Sequence, residues 1–438
     1  MSHTEQDLIN WKTDAWKDRN MVAWYSNFMV GTGGTNRLKN LVETALCERY
    51  LTGQAILDVG IGTGRASLPL IDKGYRVSGT DSSQAMLDEC RRLAAGRPIE
   101  LVPGDVQALP FGDASFDSLI SLNVMTHFPH VEPVLREWQR VVKPGGRLIF
   151  DIYSLDHLSF ARGREVTLDD LLAQGNEKFN MHLSSEALVQ IADDIGLRIV
   201  AAVPYGSLFS GEYKHWTLPM PLQASHWWKR QLSWIATDDA MLAMAAFLEQ
   251  HWFACLTTIT TGRFMAVLEK PLDLAADPAA DTAADPAAHG AEHAAANRDW
   301  LAEHMSLSRD LVSAPVRLDD LAPYLQMPAA QWREQFDRHL DHPRNRTLAY
   351  FVLSTCLGRM EAIDWLDLAP RNGPALQRWI KAEVVDRLLQ EFVVNWHREP
   401  AVADLCRRHE VDLGAGLDYL LLRRFVAQYA KPSEPRHS

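Results

Sequence analysis

The sequence predicts an α/β protein: a doubly wound, mostly parallel sheet followed by a separate, mainly α-helical C-terminal domain. Three observations carry this expectation. Between Gln54 and Tyr153, apolar strand-like runs alternate with helical patterns. One run, Leu57-Asp58-Val59, feeds a glycine-spaced turn, Gly60-Ile61-Gly62-Thr63-Gly64. At 273–297 the composition changes abruptly to Ala, Asp and Pro.

Length and charge bound the rest. At 438 residues the chain exceeds one ordinary domain, so two or three are expected. A net charge of -12 favours a soluble protein and argues against nucleic-acid binding as its main business, because neutralising phosphates needs a basic face. The five cysteines, Cys47, Cys90, Cys255, Cys356 and Cys406, form no C-x-x-C pair, so neither a zinc site nor a disulfide framework is expected. The polar start carries no signal-peptide pattern and no apolar run is long enough to span a bilayer. The expected location is the cytoplasm, with no membrane contact.

In chain order, residues 1–50 read as a helical lid. Leu8, Ile9, Trp11, Trp16, Met21, Val22, Trp24 and Tyr25 supply an aromatic-rich stripe, and Gly31-Thr32-Gly33-Gly34-Thr35 allows a hinge. Residues 51–272 then form the sheet domain. In its first turn the dinucleotide fingerprint G-x-G-x-x-G would place its third glycine at 65, where this chain has arginine, and that argues against a nicotinamide cofactor. The next strand, Tyr75 to Asp81, ends in a carboxylate about 20 residues on, where a ribose would be held. Gly196 to Val203 and Arg263 to Glu269 read as the later strands. Between them, residues 204–255 form a helical insertion carrying Tyr205, Tyr213, His215, Trp216, His226, Trp227, Trp228 and Trp234, a candidate cap over an acceptor pocket.

The stretch 273–297, in which Ala-Ala-Asp-Pro-Ala-Ala occurs twice, reads as a solvated linker. Residues 298–438 are helical in pattern, and five apolar positions recur at an offset of 84 residues, Leu318, Leu321, Ala322, Met327 and Phe336 against Val402, Leu405, Cys406, Val411 and Leu420. Two helix-turn-helix-like modules that bind a protein or peptide, or that hold a homodimer together, fit this pattern better than a DNA reader, since no basic helix face stands out.

Four segments resemble class I S-adenosylmethionine (SAM) dependent methyltransferases, in particular the type 11 group that includes the quinone-biosynthesis methyltransferases. They are Leu57 to Gly64, the acid Asp81, Gly104-Asp105-Val106-Gln107-Ala108-Leu109-Pro110-Phe111, and Phe116 to Ser121 followed by Leu122-Asn123-Val124-Met125-Thr126-His127; Val142 to Leu148 completes the set. The resemblance covers Gln54 to Tyr153 and implies a Rossmann-like fold. It also implies that Gly60, Gly62 and Gly64 approach the methionine part of SAM, Asp81 holds the ribose, Asp105 and the Val106 backbone meet the adenine, and Leu122 and Asn123 lie under the sulfonium, with Asp58 and Ser82 also among the cofactor contacts. S-adenosylhomocysteine (SAH) is then the product, and no metal is needed.

Because such a cofactor carries an activated methyl, alignment of a nucleophile supplies much of the rate and a general base is optional. His127 is the candidate base, with Tyr153, His182 and His215 fainter ones; Tyr25, Arg37, Tyr153, Tyr213 and His215 are candidate acceptor contacts. The adenine-N6 motif and the paired cysteines of cytosine-C5 enzymes are absent, so the expected acceptor is a small organic molecule methylated on oxygen, nitrogen or carbon in a biosynthetic pathway. Two alternatives stand beside it: a peptide or carrier-bound substrate recruited by the C-terminal domain, and a non-catalytic SAM-binding scaffold.

Overall fold

The computed structural model describes residues 5–30, 36–209, 235–272, 286–313 and 327–342, together with 325, 345, 348 and 349. The chain divides into two compact units, Met1–Trp216 with Trp252–Arg309, and Thr217–His251 with Asp310–Ser438.

The first unit holds an eight-stranded sheet: β1 (Ala55–Val59), β2 (Arg76–Asp81), β3 (Glu100–Pro103), β4 (Phe116–Ser121), β5 (Val142–Ser154), β6 (His182–Leu183), β7 (Arg198–Pro204) and β8 (Arg263–Glu269). Its order is β3-β2-β1-β4-β5-β8-β7, with β6 paired to the end of β5. All pairings are parallel except those of β8, which runs antiparallel to both β5 and β7. The mostly parallel, doubly wound sheet is the one the sequence predicts. β1 lies inside the sheet, Leu57 paired with Ser78 of β2 on one side and Leu119 of β4 on the other. Ile56, Leu57 and Val59 are wholly buried, as befits a parallel strand covered on both faces.

The helices follow from local chemistry. Before the sheet come α1 (Glu5–Asp14), α2 (Arg19–Val30) and α3 (Asn36–Tyr50); within it lie α4 (Ser67–Asp72), α5 (Gln84–Ala94), α6 (Glu132–Val141), α7 (Leu155–Arg162), α8 (Leu168–Leu172) and α9 (Ser185–Ile195). Asp18 starts α2 by accepting from the N–H groups of Asn20 and Met21 at 2.8 and 2.9 Å. Ser83 starts α5, its Oγ accepting from Met86 N. In α6 the spacing of Val134, Leu135, Trp138 and Val141 buries one face against the sheet, and Trp138 Nε1 donates to Val106 O at 3.1 Å. Leu8 of α1 belongs to the same core. Two bonds tie the N-terminal helices to α5 and its cap: Ser83 Oγ donates to Trp16 O at 2.6 Å, and Ser26 Oγ to Glu89 Oε1 at 2.5 Å.

Two boundaries differ from the sequence reading. A helix, here α10 (Asp239–His251), lies in the segment inserted between β7 and β8, and it belongs to the second unit rather than to the sheet unit. There Phe247 packs on Trp332 and Phe336 of a later helix (Ala329–His339), and Trp332 Nε1 donates to His251 O at 2.9 Å. Its burial of Met241, Leu242, Met244, Phe247 and Leu248 is that of a core helix.

The second difference lies at 286–309. Half of the expected linker is the start of a 28-residue helix, Pro286–Ser313, and the sheet unit extends to Arg309. Alanine is the best helix former and proline fits the first helical turn, so a composition that cannot build a core can still build a helix. The stripe Asn297, Trp300, Leu301, His304 and Ser308 supplies the contacts that the alanines lack. Asn297 Oδ1 accepts from Ile199 N at 2.8 Å, while its Nδ2 donates to Leu197 O at 2.9 Å and Asp193 Oδ1 at 2.7 Å. Of the expected C-terminal repeat only Met327 and Phe336 fall among the described residues.

Candidate active site

The glycine turn is shaped by the strand beside it. Thr80 O accepts from the N–H groups of both Gly60 and Ile61, at 2.8 and 3.0 Å, folding the chain back at the end of β1. Gly60, Gly62 and Gly64 have φ of 70°, 53° and 75°, a region closed to most side chains. They differ in what a side chain would meet. A Cβ on Gly60 would lie 2.2 Å from Val124 Cγ2 and one on Gly64 2.8 Å from Cys90 Sγ, whereas one on Gly62 would meet nothing closer than Gly60 O at 4.0 Å. Of the three, only Gly62 has open space where a side chain would stand; Gly60 and Gly64 face Val124 and Cys90.

Asp81 is fixed beside that open face. Its Oδ2 accepts from Gly62 N and its Oδ1 from Ser83 N, both at 2.9 Å. Burial pushes its pKa up, and the two N–H groups pull it back. Asp58 is buried behind the turn, bonded by Ser67 Oγ at 2.6 Å, and burial drives its pKa up to about 7. Ser82 is exposed. Asp105 is exposed too, its Oδ1 accepting from Gln107 N at 2.9 Å, while the Val106 side chain is buried. Three buried polar atoms on this rim, Thr63 Oγ1, Thr80 Oγ1 and Arg65 Nη2, lack a hydrogen-bond partner among the described residues. An open glycine cradle, a carboxylate beside it and unsatisfied polar atoms around it fit a nucleoside-bearing cofactor such as SAM.

Beyond β4 lies an ion cluster that the sequence reading missed. Leu122 is half-buried, and Asn123 adopts a left-handed φ of 61° with its N–H donating to Asp151 Oδ1. Asn123 Oδ1 accepts from Arg263 Nη1 and, at 3.5 Å, from Lys39 Nζ. Arg263 also pairs with Asp151. Arg65 pairs with Glu43 and donates to Asn40 Oδ1 at 3.3 Å. The Tyr205 hydroxyl stands between the two carboxylates, 2.9 Å from Glu43 Oε1 and 3.0 Å from Asp151 Oδ2. Glu43, Asp151 and Tyr205 are wholly buried. Burial raises the Tyr205 pKa, with both carboxylates adding to it, and lowers that of Lys39 to about 8 against the pull of Glu43.

Of the residues singled out by sequence, the structure gathers Asn123, Tyr25, Tyr153 and Tyr205 at this cluster. Tyr25 packs edge-on against Trp16, ring centroids 5.3 Å apart, and faces the Arg65 guanidinium. Tyr153 lies under Arg263 and stacks on His182 at 5.0 Å. His182 Nδ1 donates to Asn180 O at 2.7 Å, and burial lowers its pKa to about 4. His127 ends a short 3₁₀ turn, Met125–His127; burial, with Lys12 adding, lowers its pKa to about 4, and its buried Nδ1 has no partner among the described residues. It is a neutral imidazole near neutral pH. Arg37 is exposed on the first turn of α3, while Lys39, two residues on, reaches the site. Tyr213 and His215 lie outside the described residues. The missed groups left one sequence signal: Lys39 and Glu43 are charges four apart within the apolar stripe of α3. Among the described residues no group of three or more His, Cys, Asp or Glu could hold a metal ion, and no helix is long and apolar enough to cross a membrane.

Sheet order, glycine turn and acidic second strand together define a Rossmann-like domain. More narrowly, residues 57–150 match the family described as "Methyltransferase domain", as the sequence resemblance expects. Curated relatives agree over this part. A demethylmenaquinone methyltransferase of Renibacterium salmoninarum is 36% identical over 148 residues, 34% of this chain and 60% of that protein. A phosphatidylethanolamine N-methyltransferase of Cereibacter sphaeroides is 29% identical over 164 residues, 36% of this chain and 78% of that protein. Among solved structures, a magnesium protoporphyrin IX methyltransferase of Synechocystis with bound SAM is 19% identical at a TM-score of 0.33, covering 46% of this chain and 91% of that one. The chain spans 60% or less of the length of the first three curated relatives it matches.

Proposed function

We propose that this protein transfers a methyl group from SAM to an oxygen, nitrogen or carbon nucleophile of a small organic acceptor. The observation that supports this best is Asp81: its carboxylate is held by Gly62 N and Ser83 N beside the one glycine of the turn that faces open space. In this reading Gly62 lets the ligand lie against the backbone, Asp81 accepts from the ribose hydroxyls, and Asp105 with Val106 flanks the base. When bound, SAM supplies an activated methyl on a cationic sulfur. Asn123, anchored through its own N–H by Asp151, fixes the floor beyond β4. The N-terminal helices, tied down at Ser83 and Glu89, exclude water. His127, neutral near pH 7, takes the acceptor's proton when the nucleophile is not already an anion. Two of the matched relatives are named for demethylmenaquinone and phosphatidylethanolamine, which favours an organic acceptor here, and another is named for a malonyl group on an acyl-carrier protein, the carrier-bound alternative.

The test is transfer of isotopically labelled methyl from SAM into a size-fractionated cell extract, with the full chain and with Asp81→Ala. Label in the small-molecule fraction from the parent only is the expected result. Label confined to macromolecules would move the assignment to a carrier-bound or peptide substrate. Equal SAM affinity of parent and variant in a calorimetric titration would refute the ribose assignment.

A further inference from the structure

Among the described residues, the ion cluster beyond β4 is not neutral: of these, Lys39, Arg65 and Arg263 face Glu43 and Asp151, three cations against two carboxylates, around the hydroxyls of Tyr25 and Tyr205. Asp58, the next carboxylate, is engaged by Ser67 and held by burial at about 7, so it offsets only part of the excess. The excess is concentrated on Lys39. Its ammonium has three protons to donate and, among the described residues, only two long contacts, 3.5 Å to Asn123 Oδ1 and 3.9 Å to Glu43 Oε1. Its side chain keeps 22% of its exposure, whereas those of Arg65 and Arg263 keep 7% and 9%. A cation this desolvated and this loosely paired calls for an anion.

Topology says which anion. The glycine turn follows β1, on one side of β4, and Arg65 is part of that turn. Arg263 opens β8, two strands away on the other side of β4, and its guanidinium lies against Tyr153, which stacks on His182. Lys39 and Arg263 reach the same oxygen, Asn123 Oδ1, beyond the end of β4, with Arg263 anchored from the β8 side.

Resting on the methyl-transfer reading, we propose that Lys39 and Arg263 form an anion subsite, and that the acceptor carries a carboxylate bound there. A single negative charge balances the cluster. Charge-assisted bonds from an ammonium and a guanidinium to one carboxylate also fix the acceptor's orientation. Neutral or cationic acceptors leave Lys39 uncompensated and are discriminated against.

The experiment uses the full chain saturated with SAH, benzoate as the probe, and NMR of the Lys39 ε-methylene to follow its titration. Benzoate is expected to raise the Lys39 midpoint by about one pH unit or more, a tenfold preference for the charged form. Lys39→Met should weaken benzoate binding at least tenfold and leave SAH affinity within twofold, and Lys39→Arg should restore benzoate binding. A Lys39 midpoint unmoved by saturating benzoate would overturn the proposal. So would a tenfold loss of SAH affinity in Lys39→Met, because the cation would then serve the cofactor. A parent chain that binds neither SAM nor SAH would remove the methyl-transfer reading instead, and the benzoate response of Lys39 would still decide whether the anion subsite exists.

Discussion

The guanidinium of Arg263 lies 4.3 Å from the centroid of the Tyr153 ring while its Nη1 pairs with the buried carboxylate of Asp151. One side chain thus joins the aromatic wall of the site to its charged floor. Arg263→Met keeps much of the volume and leaves Asp151 buried without its cation. Removing one partner of a buried pair costs about 3–5 kcal/mol. Urea denaturation should show a loss of that size, and Arg263→Lys a smaller one.

The three glycines of the turn should separate under alanine substitution. Gly60→Ala forces a Cβ onto Val124 and should lower the melting temperature strongly. Gly62→Ala carries only the cost of a left-handed backbone, about 1–2 kcal/mol. It should nevertheless lose SAM affinity at least tenfold in a calorimetric titration, because its methyl occupies the cradle.

Asp58 makes stability depend on pH in an unusual direction. Its folded pKa of about 7 lies above the ordinary carboxylate value, so the native state binds more protons than the unfolded chain between about pH 4 and 7. Stability should therefore fall as pH rises through that window, by at most about 1.4 kcal/mol per unit from this group. Asp58→Asn should flatten the slope in urea titrations at pH 5, 6 and 7.

Asn297 places a requirement on any shortened chain. A version ending after Lys270 loses the carboxamide that satisfies Ile199 N and Leu197 O, whereas one ending after Ser313 keeps it. The shorter version should melt well below the longer. Asn297→Ala alone should cost about 1–3 kcal/mol, the penalty of leaving buried backbone groups unpaired.

Much of the sheet could be read from the sequence because its strands are apolar and its glycine turn is local. Leu57 to Gly64 and Asp81 lie in neighbouring elements, and their spacing carries their meaning. The charged floor could not be read in this way. Lys39, Glu43, Arg65, Asp151, Tyr205 and Arg263 come from α3, the glycine turn, β5, the end of β7 and the start of β8, and only the folded sheet brings them within reach. In the chain, Arg263 is merely the polar first residue of an apolar strand. The helix from Pro286 was missed for a different reason: low-complexity composition reads as solvated, yet polar anchors such as Asn297 at helical spacing are enough to dock it.

β7 is the last strand of the sheet, and the outer row of a last strand invites pairing by any passing extended chain. Asn297 presents to that row one oxygen and one N–H, the same pair of groups that another strand would offer, and it does so from a helix that has neither to spare for a further partner. The side chain imitates one peptide unit of a ninth strand and stops the sheet there. While that amide is seated, an extended chain cannot pair with β7 at Ile199, so the residue that fastens the helix also closes the start of the sheet's outer row.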